Sequence, residues 1–275
     1  MKQLPSVAAV YEQMDQARRA GPLMTNFYPV PDKLQRSVER GQLFSITVGN
    51  VLFVLRRDRD FLHLSFVASS AAELATAVRE MVASISDTVT VDVLGPRDRV
   101  AGITELFTSA GFRGHCELHR MTKVTKQAEP APAPPDPEVV LASRDDAAAL
   151  AGMLETALDR YTEQIPDEDE MARAIADRKV TVVRAPRDSA SPIAGMLFSE
   201  VTGQSSLLRH WVVDPAHRDQ RVGARLIRRY FADCKDVRRF LLWVISDNHN
   251  AIGRYRHYGY QQDGLIDQVL IRRAP

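Results

Sequence analysis

Two apolar spacings alternate along the chain. In the first half, Leu43–Val48, Val51–Leu55 and Phe61–Val67 are short runs rich in β-branched and aromatic residues, which predicts strands. Ala71–Val82 follows with apolar positions at helical spacing, Thr88–Val93 returns to a strand pattern, and Val100–Ala110 reads as a helix stopped by Gly111. A strand near Glu117–Thr122 closes this half, and two helices, Ser6–Ala20 and Asp32–Glu39, open it.

The second half is sharper. Val139–Ala142 predicts a short strand. Asp145–Arg160 predicts a helix with Ser143 as N-cap, and Asp167–Arg178 a second helix, acidic at its start and basic at its end as the helix dipole favours. Val180–Arg184, Ile193–Val201 and Ser206–Val213 read as strands. Val222–Cys234 carries Val222, Leu226, Ile227, Tyr230 and Phe231 at helical spacing. Arg239–Ile245 is an almost unbroken apolar run, the pattern of a strand buried on both faces. Asn250–Tyr258 is a short helix ended by Gly259, and Gln268–Ile271 a last strand. The order β-α-α-β-β-β-α-β-α-β predicts an α/β (α+β) fold, a mixed sheet covered by helices.

Between the halves lies Glu129-Pro130-Ala131-Pro132-Ala133-Pro134-Pro135-Asp136-Pro137, with five of the chain's 15 prolines. Proline fixes φ and donates no backbone hydrogen bond, so 129–138 reads as an extended linker between domains 1–128 and 139–275. Leu106–Phe112 and Arg254–Tyr260 both place an aromatic residue four positions before a Gly-aromatic pair, which points to two copies of one fold in tandem.

Composition narrows the function classes. The 275 residues are 45% hydrophobic and 26% charged, a globular balance. The formal net charge is +1, so neither a nucleic-acid nor a membrane partner is expected. No apolar run is long enough to span a bilayer, and Met1–Pro5 lacks the apolar core of a signal peptide. Two cysteines, Cys116 and Cys234, build neither a disulfide framework nor a thiolate zinc site, so a cytoplasmic protein is expected. No His or Cys spacing suits a metal, and none is expected.

The segment richest in chemistry runs from Trp211 to Leu226, a strand, a turn and a helix start. The first turn of a helix has N–H groups without intrahelical partners and the positive end of the dipole, so it favours an anion such as a phosphate. Gly223 and Ala224 keep the backbone accessible, and Arg218, Arg221 and Arg225 are candidate charged donors. A basic, solvated helix start reads equally well from this segment alone.

Taken with Asn248–Tyr260, the segment resembles the GNAT superfamily of acyl-CoA-dependent N-acyltransferases. Val213-Asp214-Pro215 and Arg218-Asp219-Gln220-Arg221-Val222-Gly223 occupy the family's phosphate-loop pattern, and Asn248, Ala251, Tyr255, Gly259 and Tyr260 its later motif. The resemblance spans Glu138 to Arg273. Asp219 and Arg221 depart from it, standing where the family usually has glycine. In the first half the corresponding stretch, Val67–Glu73, has neither Arg nor Gly and places an acid in the first helical turn, so it resembles a degenerate GNAT-like domain without a cofactor loop.

The resemblance implies transfer of an acetyl group from acetyl-CoA, the acyl donor, to an amine. It implies cofactor contacts from Trp211, Val212, Val213, Arg218, Gln220, Arg221, Val222, Gly223, Ala224, Arg225 and Asn248, with Tyr255 as general acid. A packed aromatic is the other reading of Tyr255, and a helix N-cap that of Asn248. Glu200 and His210 are the candidates for the general base. Strict alternation places Leu207, Arg209 and Trp211 on one face and Leu208, His210 and Val212 on the other. The acidic stretch Tyr161–Glu170 is a candidate acceptor wall or simply a helix cap. The acceptor is a small-molecule or peptide amine, and the protein a monomer or homodimer. An acyl-CoA sensor without turnover and an acyltransferase using a carrier-protein thioester are the competing readings.

Overall fold

The computed structural model describes residues 1–19, 24–125, 136–186, 189 and 191–274. The chain divides into two compact units, Met1–His119 with Gly264–Pro275, and Arg120–Asp263. This division departs from the one that the proline-rich stretch marks. Residues 129–135 of that expected linker lie outside the described residues.

The first unit contains β1 (Lys2–Gln3), α1 (Val7–Arg18), β2 (Met24–Thr25), α2 (Pro31–Glu39), β3 (Leu43–Val48), β4 (Val51–Asp58), β5 (Phe61–Ala68), α3 (Ala71–Ala83), β6 (Thr88–Pro96), α4 (Arg97–Thr108) and the start of β7 (Arg113–Val124). The second unit begins with the end of β7. It continues through β8 (Val139–Leu141), α5 (Ala147–Ala157), α6 (Glu168–Ala176), β9 (Val180–Arg184), β10 (Ile193–Thr202), β11 (Ser205–Val213), α7 (Val222–Asp233), β12 (Arg239–Ile245), α8 (His249–His257) and the start of β13 (Gln261–Arg272).

The last strand runs well beyond the expected Gln268–Ile271, and most of it belongs to the first unit. Leu265–Arg272 pair antiparallel with β6, from Leu265 opposite Pro96 to Arg272 opposite Val89. Ile266 and Leu270 fill that unit's core. Asp263, Gly264 and Asp267 break the apolar alternation here, so the sequence shows only the strand's end. Conversely, Thr125, just past β7, donates its N–H to the Arg238 carbonyl of the second unit, 2.9 Å away.

Among the described residues each unit is a mostly antiparallel sheet that contains a parallel pair, β5 with β6 in the first and β11 with β12 in the second. A helix, α3 or α7, makes the crossover that a parallel connection requires. Helices cover both faces of each sheet. In the first unit, Phe53, Phe66, Leu74 and Phe107 pack on one face and Val10, Met14, Leu52 and Val67 on the other. In the second, Leu226, Tyr230, Phe240 and Tyr260 form one core layer, and Leu150, Met171, Met196 and Phe198 the other.

The two helix ends that resemble one another in sequence also share their geometry. Gly111 has φ 92° and Gly259 φ 87°, the left-handed region that only glycine enters without strain. Phe112 N–H bonds the Phe107 carbonyl and Tyr260 N–H the Tyr255 carbonyl, both at 3.1 Å. The aromatic that follows each glycine is buried. This is a left-handed helix stop with its hydrophobic anchor, made twice.

Candidate active site

The second unit's site is built where β11 and β12 part. Their parallel pairing runs only from Ser205 opposite Arg239 to Leu207 opposite Leu241, yet β11 continues to Val213 and β12 to Ile245. Beyond Leu207 the facing backbone edges have no ladder between them. Backbone N–H and C=O groups demand partners, so such a cleft suits an extended chain carrying amides.

A β-bulge shapes β11 at the same point. Phe198 lies opposite His210 but Ser199 opposite Leu208, so Arg209 is the inserted residue. The bulge overturns the alternation expected from sequence. Leu208 packs with Trp211 and Val213 on the α7 side, whereas His210 sits against Phe198 and Val212 joins the α5–α6 core. Arg209 and His210, consecutive in sequence, both reach the loop between α5 and α6. Arg209 donates to Gln164 Oε1 at 3.3 Å, and His210 Nδ1 lies 3.9 Å from Glu163.

The turn after β11 folds on its own side chains. Asp214 accepts from the Ala216 N–H, and Gln220 donates to the Ala216 carbonyl while lying 3.4 Å from His217. Asp219 and Arg221 take φ 64° and 59°, the left-handed conformation that explains the glycine usual at both positions. No side chain caps α7, so its first N–H groups keep their donors. Arg218 and Arg221 are exposed beside them. Val222 is buried in the core; a Cβ on Gly195 of β10 would come within 2.8 Å of it, so this glycine lets α7 lie on the sheet.

Two residues assigned to the ligand have other work. Arg225 turns to the residues just before β8, its Nε 2.6 Å from Asp136 and its guanidinium also on Glu138. Gly223 opens less backbone than its lack of a side chain implies, because a Cβ there would meet the Trp211 ring at 3.2 Å. It is a packing glycine for Trp211. That indole, half-buried, lies 5.8 Å from the Tyr255 ring and 5.9 Å from Tyr258, with its Nε1–H sealed from solvent and without a hydrogen-bond partner. A buried indole N–H normally finds an acceptor, so a ligand oxygen fits here. Asn248 caps α8, accepting from the Ala251 N–H at 3.1 Å. Ala224 is half-buried in the first turn of α7.

Tyr255 is half-buried, and burial pushes its hydroxyl far above the ordinary phenol range, with the Glu163 carboxylate adding to the rise. Such a phenol stays protonated and available to donate. Glu200 stands 4.0 Å from Arg209 on β10. The residue that sequence reasoning missed is Glu163. It figured only as one acid in an acidic stretch, whereas burial lifts its carboxyl to about 7, Arg209 opposes that rise and Asp159 reinforces it. No spacing rule marks it, because the bulge in β11 is what turns both Arg209 and His210 to the loop that carries it. Among the described residues, no group of three His, Cys, Asp or Glu side chains could hold a metal ion, and no helix is long and apolar enough to cross a membrane.

Residues 150–260 match the family model described as Acetyltransferase (GNAT) family. No curated protein matches the chain in sequence. Among solved structures, the fold is similar to a tandem GNAT protein from the clavulanic acid biosynthesis pathway, with a TM-score of 0.59, 14% identity, and coverage of 98% of this chain and 95% of that one. It is similar to a GNAT-family acetyltransferase from Colwellia psychrerythraea, with a TM-score of 0.55, 13% identity, and coverage of 98% and 99%. A GCN5-related N-acetyltransferase from Sphaerobacter thermophilus aligns with a TM-score of 0.57 and 15% identity, over 81% of this chain and 76% of that one. At these identities the likeness concerns the fold; the family model adds the sequence pattern, and residues 150–260 are a domain of the acetyltransferase (GNAT) family.

Proposed function

We propose that the second unit transfers an acyl group, most simply acetyl, from acyl-CoA to an amine. The parting of β11 from β12 beside the uncapped start of α7 is the observation that carries this reading. The cleft accepts the amide-bearing arm of the thioester between the two strands. The α7 N–H groups, with Arg218 and Arg221, receive the diphosphate, where charge-assisted hydrogen bonds and the helix dipole act together. Val213, at the end of β11, offers its backbone N–H on the edge away from β10, to the arm or to the carbonyl oxygen as it gains charge.

The amine then attacks the thioester carbon directly, and the leaving thiolate must be protonated. Tyr255 supports that role, since its hydroxyl holds its proton at neutral pH and its ring abuts Trp211 in the same cleft. The first unit, on this reading, takes no part in binding the thioester.

Thiol release from acetyl-CoA, measured against a panel of amines, tests the assignment. Tyr255→Phe is expected to slow release about 100-fold while leaving acetyl-CoA affinity within a factor of two. Unchanged turnover would remove Tyr255 from the proton donor role. Acetyl-CoA binding without thiol release from any amine would leave a sensor in place of an enzyme.

A further inference from the structure

The general base follows from what the bulge in β11 brings together. On the acyl-transfer reading above, we propose that Glu163 takes the proton from the acceptor amine, and that Arg209 is the positioning residue that keeps Glu163 ready to do so. The sequence offered His210 and Glu200 for this task. His210 is buried behind the Phe198 ring, and Glu200 stands toward the outer end of β10, facing Arg209. Glu163 instead lies on the α5–α6 loop that the bulge brings against β11, 3.9 Å from His210 and next to the Gln164 that Arg209 holds, and its charge raises the Tyr255 hydroxyl.

The geometry is specific to this bulge. In a regular strand, Arg209 and His210 would point to opposite faces. The inserted residue turns both to the α5–α6 loop, where Arg209 holds Gln164 and His210 faces Glu163. The groups around the Glu163 carboxyl are Arg209 and His210 from β11, Asp159 from the turn after α5, and Tyr255 from α8. Arg209 favours the ionised carboxylate. Asp159 and burial favour the acid. The balance near 7 lets one carboxyl both accept a proton and return it to water.

An acceptor arriving as an ammonium ion gives one proton to the Glu163 carboxylate and becomes a neutral amine. Its nitrogen bonds to the thioester carbon, and the carbon–sulfur bond breaks. The second proton lost by nitrogen replaces the one that Tyr255 gives to the thiolate. Glu163 then returns its proton to solvent, so each turnover yields an amide, a thiol and one proton. An ionised Glu163 also pairs with the arriving cation, so the acceptor class is a primary ammonium compound.

Two readouts test this on the full-length protein. The first is a carbon-13 NMR titration of the glutamate carboxyls, with Glu163→Gln assigning the resonance. A Glu163 midpoint near 7, moved upward by Arg209→Gln and held by Arg209→Lys, is expected. A midpoint in the ordinary carboxylate range, or one indifferent to Arg209, would overturn the proposal. The second is the pH profile of thiol release with a primary amine. The wild-type rate should fall as pH drops through about 7. That limb should move to higher pH in Arg209→Gln, while Glu163→Gln should lose at least 100-fold at neutral pH with an unchanged KM for acetyl-CoA. An active wild type whose Glu163→Gln variant keeps rate and profile defeats this proposal alone. A wild type that releases no thiol with any amine defeats the acyl-transfer reading, and this assignment with it.

Discussion

The two units share a plan and differ wherever a ligand would sit. In the second, β11 and β12 part and leave an open cleft. In the first, the equivalent parting of β5 from β6, whose ladder ends at Leu64 opposite Val91, is filled by the chain itself. β2 pairs with the far end of β5, Thr25 donates its hydroxyl to the Phe66 carbonyl, and Asn26 bridges the two strands. The Asn26 amide accepts from Phe66 N–H at 2.7 Å and donates to the carbonyls of Leu64 and Asp92 at 3.3 and 2.8 Å. One carboxamide thus does what an amide-bearing substrate arm is proposed to do in the second unit.

The helix starts diverge in the same sense. α7 has no capping side chain and is flanked by arginines, whereas α3 is capped by Ser70, with Glu73 in its first turn. Ser69 and Asn50 hold that carboxyl below its usual range, so an anion already occupies the positive end of α3. At the paired helix stops, Tyr255 corresponds to Phe107, which has no hydroxyl to donate. At the cleft and at the helix start the first unit has an internal partner, whereas among the described residues no side chain caps α7.

Variants can break this comparison or sharpen it. The largest expected effect is at Asn26. Replacing it with alanine strands three backbone groups inside the first unit and should cost about 3 kcal/mol of unfolding free energy in a denaturant titration. An unmoved midpoint would mean that Asn26 does not hold the β5–β6 cleft. Next comes the binding stoichiometry. Calorimetry of the full chain with acetyl-CoA should give one site, weakened about tenfold by Arg218→Ala, roughly 1.4 kcal/mol. A second site indifferent to that change would place a functioning cleft in the first unit. The smallest effect is at Arg221, whose left-handed φ a glycine would relieve. Arg221→Gly should raise stability by about 1 kcal/mol or less, since the greater freedom of glycine in the unfolded chain offsets part of the gain.

Much of the fold was legible because apolar spacing is a local property. The strands Leu43–Val48, Val180–Arg184 and Arg239–Ile245 have the very bounds their side chains imply. The helix expected to reach Arg160 stops at Ala157, because Leu158 turns to φ −121° and starts the loop that carries Glu163. The site was legible only in part. The glycine-like positions of the turn mark their own conformation. What an arginine pairs with across 89 residues, as Arg225 does with Asp136, leaves no local trace. Nor does a bulge, since the extra residue is an ordinary one and only its partner strand shows that it is extra.

The course of β13 governs the order in which the molecule can be assembled. The first unit lacks the partner on one edge of β6 until Leu265–Arg272 have been synthesised, after the whole of the second unit. A chain cut within the proline-rich stretch would release an N-terminal fragment with β6 uncovered, an exposed edge prone to pairing with other chains. The proline-rich stretch separates the two repeats in sequence, but a cut there would leave β13 on the other fragment.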